Sequence, residues 1–180
     1  MEDTQAKEKE ERSEILMWLD DYNDLFSDFD PRHYSQRALS FDFLSELRRA
    51  TRGKYGDISL GLLIPKDKRD MKIDSIVRKR LQEYFSKNYL HHKDEAKGVF
   101  RRGLMFCFAG IVLMFTAAYL LFYFRESTLL MSFLIILLEP ASWFLFWEGL
   151  NISIFESKKT KPILEFYMKM AGSKIHFSSY

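Results

Sequence analysis

GLMFCFAGIVLMFTAAYLLFYF, residues 103–124, contains no charged side chain. As a helix rising about 1.5 Å per residue it is about 33 Å long, enough to cross a hydrocarbon core of about 30 Å. Arg125 and Glu126 interrupt it, and a second apolar run follows at residues 127–147, STLLMSFLIILLEPASWFLFW. A soluble helix seldom stays apolar on every face for so long. The two runs therefore predict a transmembrane hairpin closed by a very short turn. Residues 127–138, the uninterrupted part of the second run, are too short to span alone, so a re-entrant segment is the competing reading. Trp143 and Trp147 favour a full crossing, because they place an aromatic belt at one interface; Tyr119, Phe122, Tyr123 and Phe124 do so at the other.

Working outward, basic residues flank both outer ends of the hairpin. Lys97, Arg101 and Arg102 precede the first run, and Lys158, Lys159 and Lys161 follow the second, whereas the turn holds Arg125 alone. The positive-inside rule places both termini in the cytoplasm, and the chain is read as integral to the cell membrane. Arg101, Arg102, Lys158, Lys159 and Lys161 become candidate contacts to lipid headgroups.

The net charge of +2 and the mean hydropathy of −0.21 average over unlike regions. Residues 1–30 hold eleven acidic and three basic side chains, a net of −8, while residues 31–102 hold nine acidic and eighteen basic, a net of +9. A basic region beside a membrane suits anionic lipid. The small overall charge and the lack of a recognised motif argue against nucleic-acid binding. The single cysteine, Cys107, allows no disulfide within the chain. Residues 1–13, MEDTQAKEKEERS, are polar and read as a flexible N-terminus rather than a secretory signal.

The cytoplasmic region, residues 14–100, reads as a small α+β domain. Ile15, Leu16, Trp18, Leu19, Tyr22, Leu25, Phe26 and Phe29 recur at helical spacing, which predicts an amphipathic helix ending before Pro31 with Asp20, Asp21, Asp24 and Asp28 on its polar face. Those aspartates lack the glycine and closing glutamate of a calcium loop. Ser40 is placed to cap a helix from Phe41 to about Arg52, with Gly53 stopping it. Residues 57–65, DISLGLLIP, alternate as a strand, and Gly61 within it suggests a bulge or a close backbone approach. A basic amphipathic helix follows from about Lys72 to Tyr89 and continues through residues 91–102 towards the membrane, with Gly98 a point of flexure. His91 and His92 are adjacent, with no third ligand near, so no metal is expected.

The tail, residues 151–180, predicts a short helix starting near Pro162, ended by Gly172, then a strand at residues 174–180. A lone strand leaves backbone groups unpaired, so this strand is expected to pair with residues 58–64. The fold class is thus a membrane α-helical one: a two-helix transmembrane hairpin plus a small α+β cytoplasmic domain.

ISLGLLIP at 58–65, RKRLQEYF at 78–85 and SWFLFWEGL at 142–150 give the chain a loose resemblance to a group of uncharacterised small prokaryotic two-span membrane proteins with a cytoplasmic N-terminal region. The resemblance implies no activity.

No nucleophile–base pairing, phosphate-binding glycine loop or spaced ligand set is present, so neither catalytic residues nor cofactors are expected. The leading expectation is a non-enzymatic anchor or interaction module with a cytoplasmic protein partner or a second copy of itself. Gly103, Cys107 and Gly110 form a candidate helix-packing face. The alternative is an oligomeric channel or transporter subunit that uses Glu139. A charged side chain at the middle of a span costs about 2.5 kcal/mol or more, so such residues face protein or water. Glu139 is expected as the neutral acid, with Ser142 and Trp143 one turn on as donors to it. Pro140 leaves the carbonyl of Ile136 without its usual partner.

Overall fold

The computed structural model describes residues 14–54, 56–123 and 128–180. The expected flexible N-terminus at residues 1–13 lies outside them, as do Phe124 and Ser127 at the inner ends of the two apolar runs. The elements in order are β1 (Glu14–Trp18), a 3-10 turn (Tyr22–Leu25), α1 (Phe41–Ala50), β2 (Ser59–Ile64), α2 (Met71–Tyr123), α3 (Leu129–Asn151), a π-helical turn (Ile152–Glu156), α4 (Ser157–Ala171) and β3 (Lys174–Ser179). The chain divides into two compact units. One joins the described residues up to Leu90 with Glu165–Tyr180, and the other is His91–Leu164.

In the first unit the three strands form one parallel sheet in the order β1-β2-β3. Leu60 faces Ile15 on one side and Ile175 on the other, and Leu62 faces Met17 and Phe177. These residues share one side of the pleat. Ile15, Leu60, Leu62, Ile64, Ile175 and Phe177 are buried there in a single core with Phe43 and Leu47 of α1, Val77, Leu81 and Phe85 of α2, and Phe166 and Met170 of α4. The expected pairing of the tail strand with residues 58–64 is present over six residues, Ser59↔Lys174 to Ile64↔Ser179. The sheet is parallel, so each return to it needs a crossover. The crossover from β2 to β3 contains the whole second unit.

The opposite side of the sheet is open. Leu16 is 55% exposed and Trp18 70% exposed, with the Trp18 ring 4.6 Å from that of Tyr180. Parallel sheets are normally covered on both faces. Gly61 sits in the middle of this side and makes no bulge. A Cβ on it would lie 2.6 Å from Leu16 Cδ2 and 2.9 Å from His176 Nε2, so the missing side chain lets its neighbours on both flanking strands close over the backbone.

The helix predicted from Ile15 to Phe29 is not formed. Residues 14–18 are strand because they find a partner strand, a gain that local periodicity does not register. Ile15 and Met17 turn inward while Leu16 and Trp18 turn out. Beyond Leu19 the Asp24 carboxylate accepts hydrogen bonds from the backbone N–H groups of Asp20 (2.7 Å) and Asp21 (3.1 Å). It thereby holds a tight turn where a helical polar face was expected. Phe29 is 98% exposed. The helix at Phe41–Ala50 agrees with its expected bounds. Ser40 occupies the N-cap position without a side-chain bond, and Gly53 takes a positive φ of 73° just beyond the helix. Gly98 does not interrupt α2. The tail helix begins at Ser157, five residues before Pro162, and follows the π-helical turn directly.

α2 and α3 are two helices long and apolar enough to cross a membrane.

Candidate functional site

In the second unit the lower part of α2 and the length of α3 run antiparallel along a seam of small residues. Gly103, Gly110 and Ala117 recur every seven residues on α2 and are buried; Ser142 and Gly149 do the same on α3. A seven-residue repeat keeps one narrow stripe facing the partner helix. At Gly110 an added Cβ would lie 2.6 Å from the backbone N of Phe146, and at Gly103 one would lie 2.8 Å from the carbonyl oxygen of Gly149. The two backbones therefore approach more closely than any side chain permits. Cys107, the third residue of the expected packing face, lies in the same seam with its Sγ 3.6 Å from the carbonyl oxygen of Phe146. The sequence showed the α2 half of this stripe. Its α3 half, Ser142, Phe146, Gly149 and Ser153, went unread, although Ser142 and Gly149 show the same seven-residue spacing.

Towards the turn end, the seam opens into a lateral groove of about 350 Å³. Met114, Ala117, Ala118 and Leu121 line it from α2; Ile135, Glu139, Ser142 and Trp143 line it from α3. Each set follows helical spacing, so the groove is the space between two stripes. It exists because two alanines stand opposite Glu139 and Trp143, leaving room that larger side chains would fill. Three of the four residues of the expected polar site, Glu139, Ser142 and Trp143, thus share one cavity. Pro140 lies inside α3, which continues through it, and is exposed.

The hydrogen bonding differs from expectation. Ser142 is buried, and its Oγ donates to the backbone carbonyl of Glu139 at 2.7 Å, not to the carboxyl group. Thr116 on α2 likewise spends its hydroxyl on the carbonyl of Val112 at 2.8 Å. A serine or threonine hydroxyl in a helix reaches its own preceding turn more readily than a side chain across the groove. Among the described residues nothing donates to the Glu139 carboxyl, which is exposed at the groove. Trp143 is 58% exposed, and its ring lies 5.9 Å from that of Trp147, one turn further along. Glu139, Trp143 and Trp147 follow one another at four-residue intervals, so a carboxyl group and two indoles share one face of α3.

The candidate headgroup contacts Arg101, Arg102, Lys158, Lys159 and Lys161 are all exposed. Gly103 lies against Ser153, so the two basic clusters sit at the same end of the helix pair, away from the groove. Lys159 pairs with Glu156 at 3.6 Å, and Lys158 lies 6.0 Å from the Phe155 ring centroid.

The first unit holds a polar cluster that sequence reasoning missed. Tyr22, buried, donates through Oη to Asp74, itself buried in the first turn of α2. Arg69 Nε lies 3.0 Å from the other Asp74 oxygen, and the Asp70 N–H donates to Tyr22 Oη at 3.0 Å. Burial, then the bond to Asp74, pushes the Tyr22 phenol up to about 12. Asp70 also accepts from the Lys72 N–H at 2.7 Å, which caps α2. The aspartate spacing at the helix start was the available signal. The cluster has every member satisfied and opens to no described cavity, so it serves to fix the start of α2 against the turn at Tyr22. Among the described residues no three His, Cys, Asp or Glu side chains group as metal ligands.

No protein-family model, curated protein or solved structure matches this chain.

Proposed function

We propose that the chain is an integral membrane protein of the cell membrane, a non-enzymatic anchor that presents a small cytoplasmic domain to a protein partner. One observation carries the membrane reading: the long apolar helices bury almost nothing but their small residues against each other. Phe108, Phe115, Phe122, Leu129 and Ile136 all point outward, Phe115 being 73% exposed. So much apolar surface is not tolerated in water, and a bilayer supplies the missing solvent. The arrangement of the sheet supports a reading in which the segments before and after the hairpin lie on one side. β2 precedes the hairpin, β3 follows it, and they are hydrogen-bonded neighbours. With the basic flanks, that side is the cytoplasm. Arg101, Arg102, Lys158, Lys159 and Lys161 then meet lipid headgroups.

The module reading is supported by the open face of the parallel sheet, where Leu16, Trp18 and Tyr180 are exposed. Aromatic groups of this kind are what buried interface centres use. The second reading is an oligomeric channel or transporter subunit, favoured by the outward-facing Glu139 groove. It needs several chains, since two helices enclose no pathway.

The test uses the full chain in a Cys107→Ser background, with a cysteine placed at Ser178 or at Asp20. Both should resist alkaline extraction from membranes, and both should react with an impermeant maleimide only after cells are opened. Recovery in the soluble fraction, or labelling of either site from outside, would refute the anchor. A photo-reactive residue at Trp18 should give a discrete cross-linked product in the membrane fraction, and none would appear if the face were idle.

A further inference from the structure

We propose that the groove between α2 and α3 is a binding site for a lipophilic cation, a molecule carrying one positive charge on a compact apolar body. The inference rests on the membrane reading above.

Three observations point to a cation rather than a neutral or anionic guest. First, among the described residues the groove's lining holds one acidic group, Glu139, and no basic one. The one hydroxyl on its lining, that of Ser142, is already committed to a backbone carbonyl of its own helix. Among the described residues the carboxyl group has no donor. Second, the neighbour of Glu139 on the same helix face is an exposed indole, followed by another. The face of an indole is the best aromatic partner for a positive charge, most of all where water is excluded. Trp143 and Trp147, 5.9 Å apart, lead along α3 from its cytoplasmic end to Glu139. Third, the cavity of about 350 Å³ is otherwise walled by Met114, Leu121 and Ile135 over a floor of Ala117 and Ala118. That size is at the lower end of sites for small ligands, which are mostly apolar with a few placed polar groups.

The chemistry follows from the medium. An ionised carboxylate is poorly tolerated within hydrocarbon unless a counter-charge accompanies it. A simple hydrated ion brings its charge but loses its water there and gains no apolar contact. A cation wrapped in apolar groups brings charge to Glu139 and surface to Trp143 and the alanine floor. An anion of the same shape meets repulsion from Glu139 and the unfavourable face of the indole.

The probe is tetraphenylphosphonium, added to the full chain in nanodiscs of zwitterionic phosphatidylcholine and measured by equilibrium dialysis against empty nanodiscs. Saturable binding at one site per chain is expected. Glu139→Gln should weaken it at least tenfold. Ala118→Leu, which keeps the carboxyl group but fills the groove, should weaken it by a similar factor. Trp143→Leu should weaken it several-fold, and Glu139→Asp should retain most of it. Tetraphenylborate, the anion of like shape, should show no binding beyond that of empty nanodiscs. Binding unchanged by Glu139→Gln, equal binding of the borate, or no saturable binding at all would overturn the proposal. So would a dimer that Ala118→Leu converts to monomers, because the occupant would then be a second copy. Recovery of each variant with the nanodiscs is read in the same preparations. A chain that does not enter them fails the membrane reading, whereas one that enters and ignores the phosphonium fails this inference alone.

Discussion

Replacing Phe177 with alanine should loosen strand β2, more than a hundred residues earlier in the chain. Phe177 is 5% exposed, faces Leu62 across the sheet and lies 5.9 Å from the Tyr22 ring. Removing a buried phenylalanine side chain costs about 3–5 kcal/mol, the transfer loss plus the cavity left behind. A domain of this size has roughly 5–15 kcal/mol of total stability, so the variant should still fold but open far more often. At about 1.4 kcal/mol per power of ten, amides that exchange through that opening should speed up by about two to three and a half powers of ten. The assay is hydrogen exchange with mass detection on the full chain in nanodiscs, read on peptides covering residues 59–64. Lys174→Ala, on the same strand but exposed, should change stability by no more than about 0.5 kcal/mol and serves as the control. If Phe177→Ala left exchange at residues 59–64 within about threefold of the native chain, the tail strand would not be part of that domain's core and the pairing argument would fail.

Gly110→Leu should push the helices apart at Phe146 and raise the rate at which a membrane-permeant maleimide alkylates Cys107, and an unchanged rate would contradict the close seam. The raised Tyr22 phenol implies a definite pH dependence. Its proton is held more tightly in the folded chain than at the ordinary 10.0, so the stability it contributes is complete below pH 10 and is lost as pH rises towards about 12. Thermal unfolding of the full chain should show this alkaline slope, and Tyr22→Phe should flatten it while lowering stability at neutral pH by about 1–3 kcal/mol through the donor lost from Asp74. Glu139→Gln should insert into membranes as the native chain does, whereas Glu139→Lys, which adds about 2.5–3.5 kcal/mol of insertion cost for a cation at mid-span, should reduce the alkali-resistant fraction.

The hairpin was legible because apolarity over more than twenty residues leaves few folds open, and residues 58–64 were legible because alternation is a local signal. The pairing of residues 174–179 with β2 followed from backbone accounting, since an isolated strand is not stable. Residues 14–18 were misread for the opposite reason. Ile15, Leu19, Tyr22 and Phe26 satisfy a helical period, whereas the strand at residues 14–18 depends on β2, more than forty residues away. The Glu139 site was half legible. Its neighbours on α3 could be counted, but Met114, Ala117, Ala118 and Leu121 belong to another helix, and no local pattern announces which turn of α2 stands opposite. Ser142 was assigned the wrong acceptor because a count of residues places a donor one turn away without saying which oxygen it reaches.

The order of strands along the chain has a consequence for how the protein is made. β1 and β2 are synthesised before the hairpin, yet the sheet lacks its third strand until residues 174–179 follow it. By then both helices of the hairpin have been synthesised. On the membrane reading proposed above, a chain whose second helix failed to return would strand Lys174–Ser179 on the opposite side, where β2 could not reach it. Ile175 and Phe177 would be missing from the core, and the cytoplasmic part would stay open to proteases. On that reading completion of the sheet would report the double crossing, since only molecules whose second helix had returned could close.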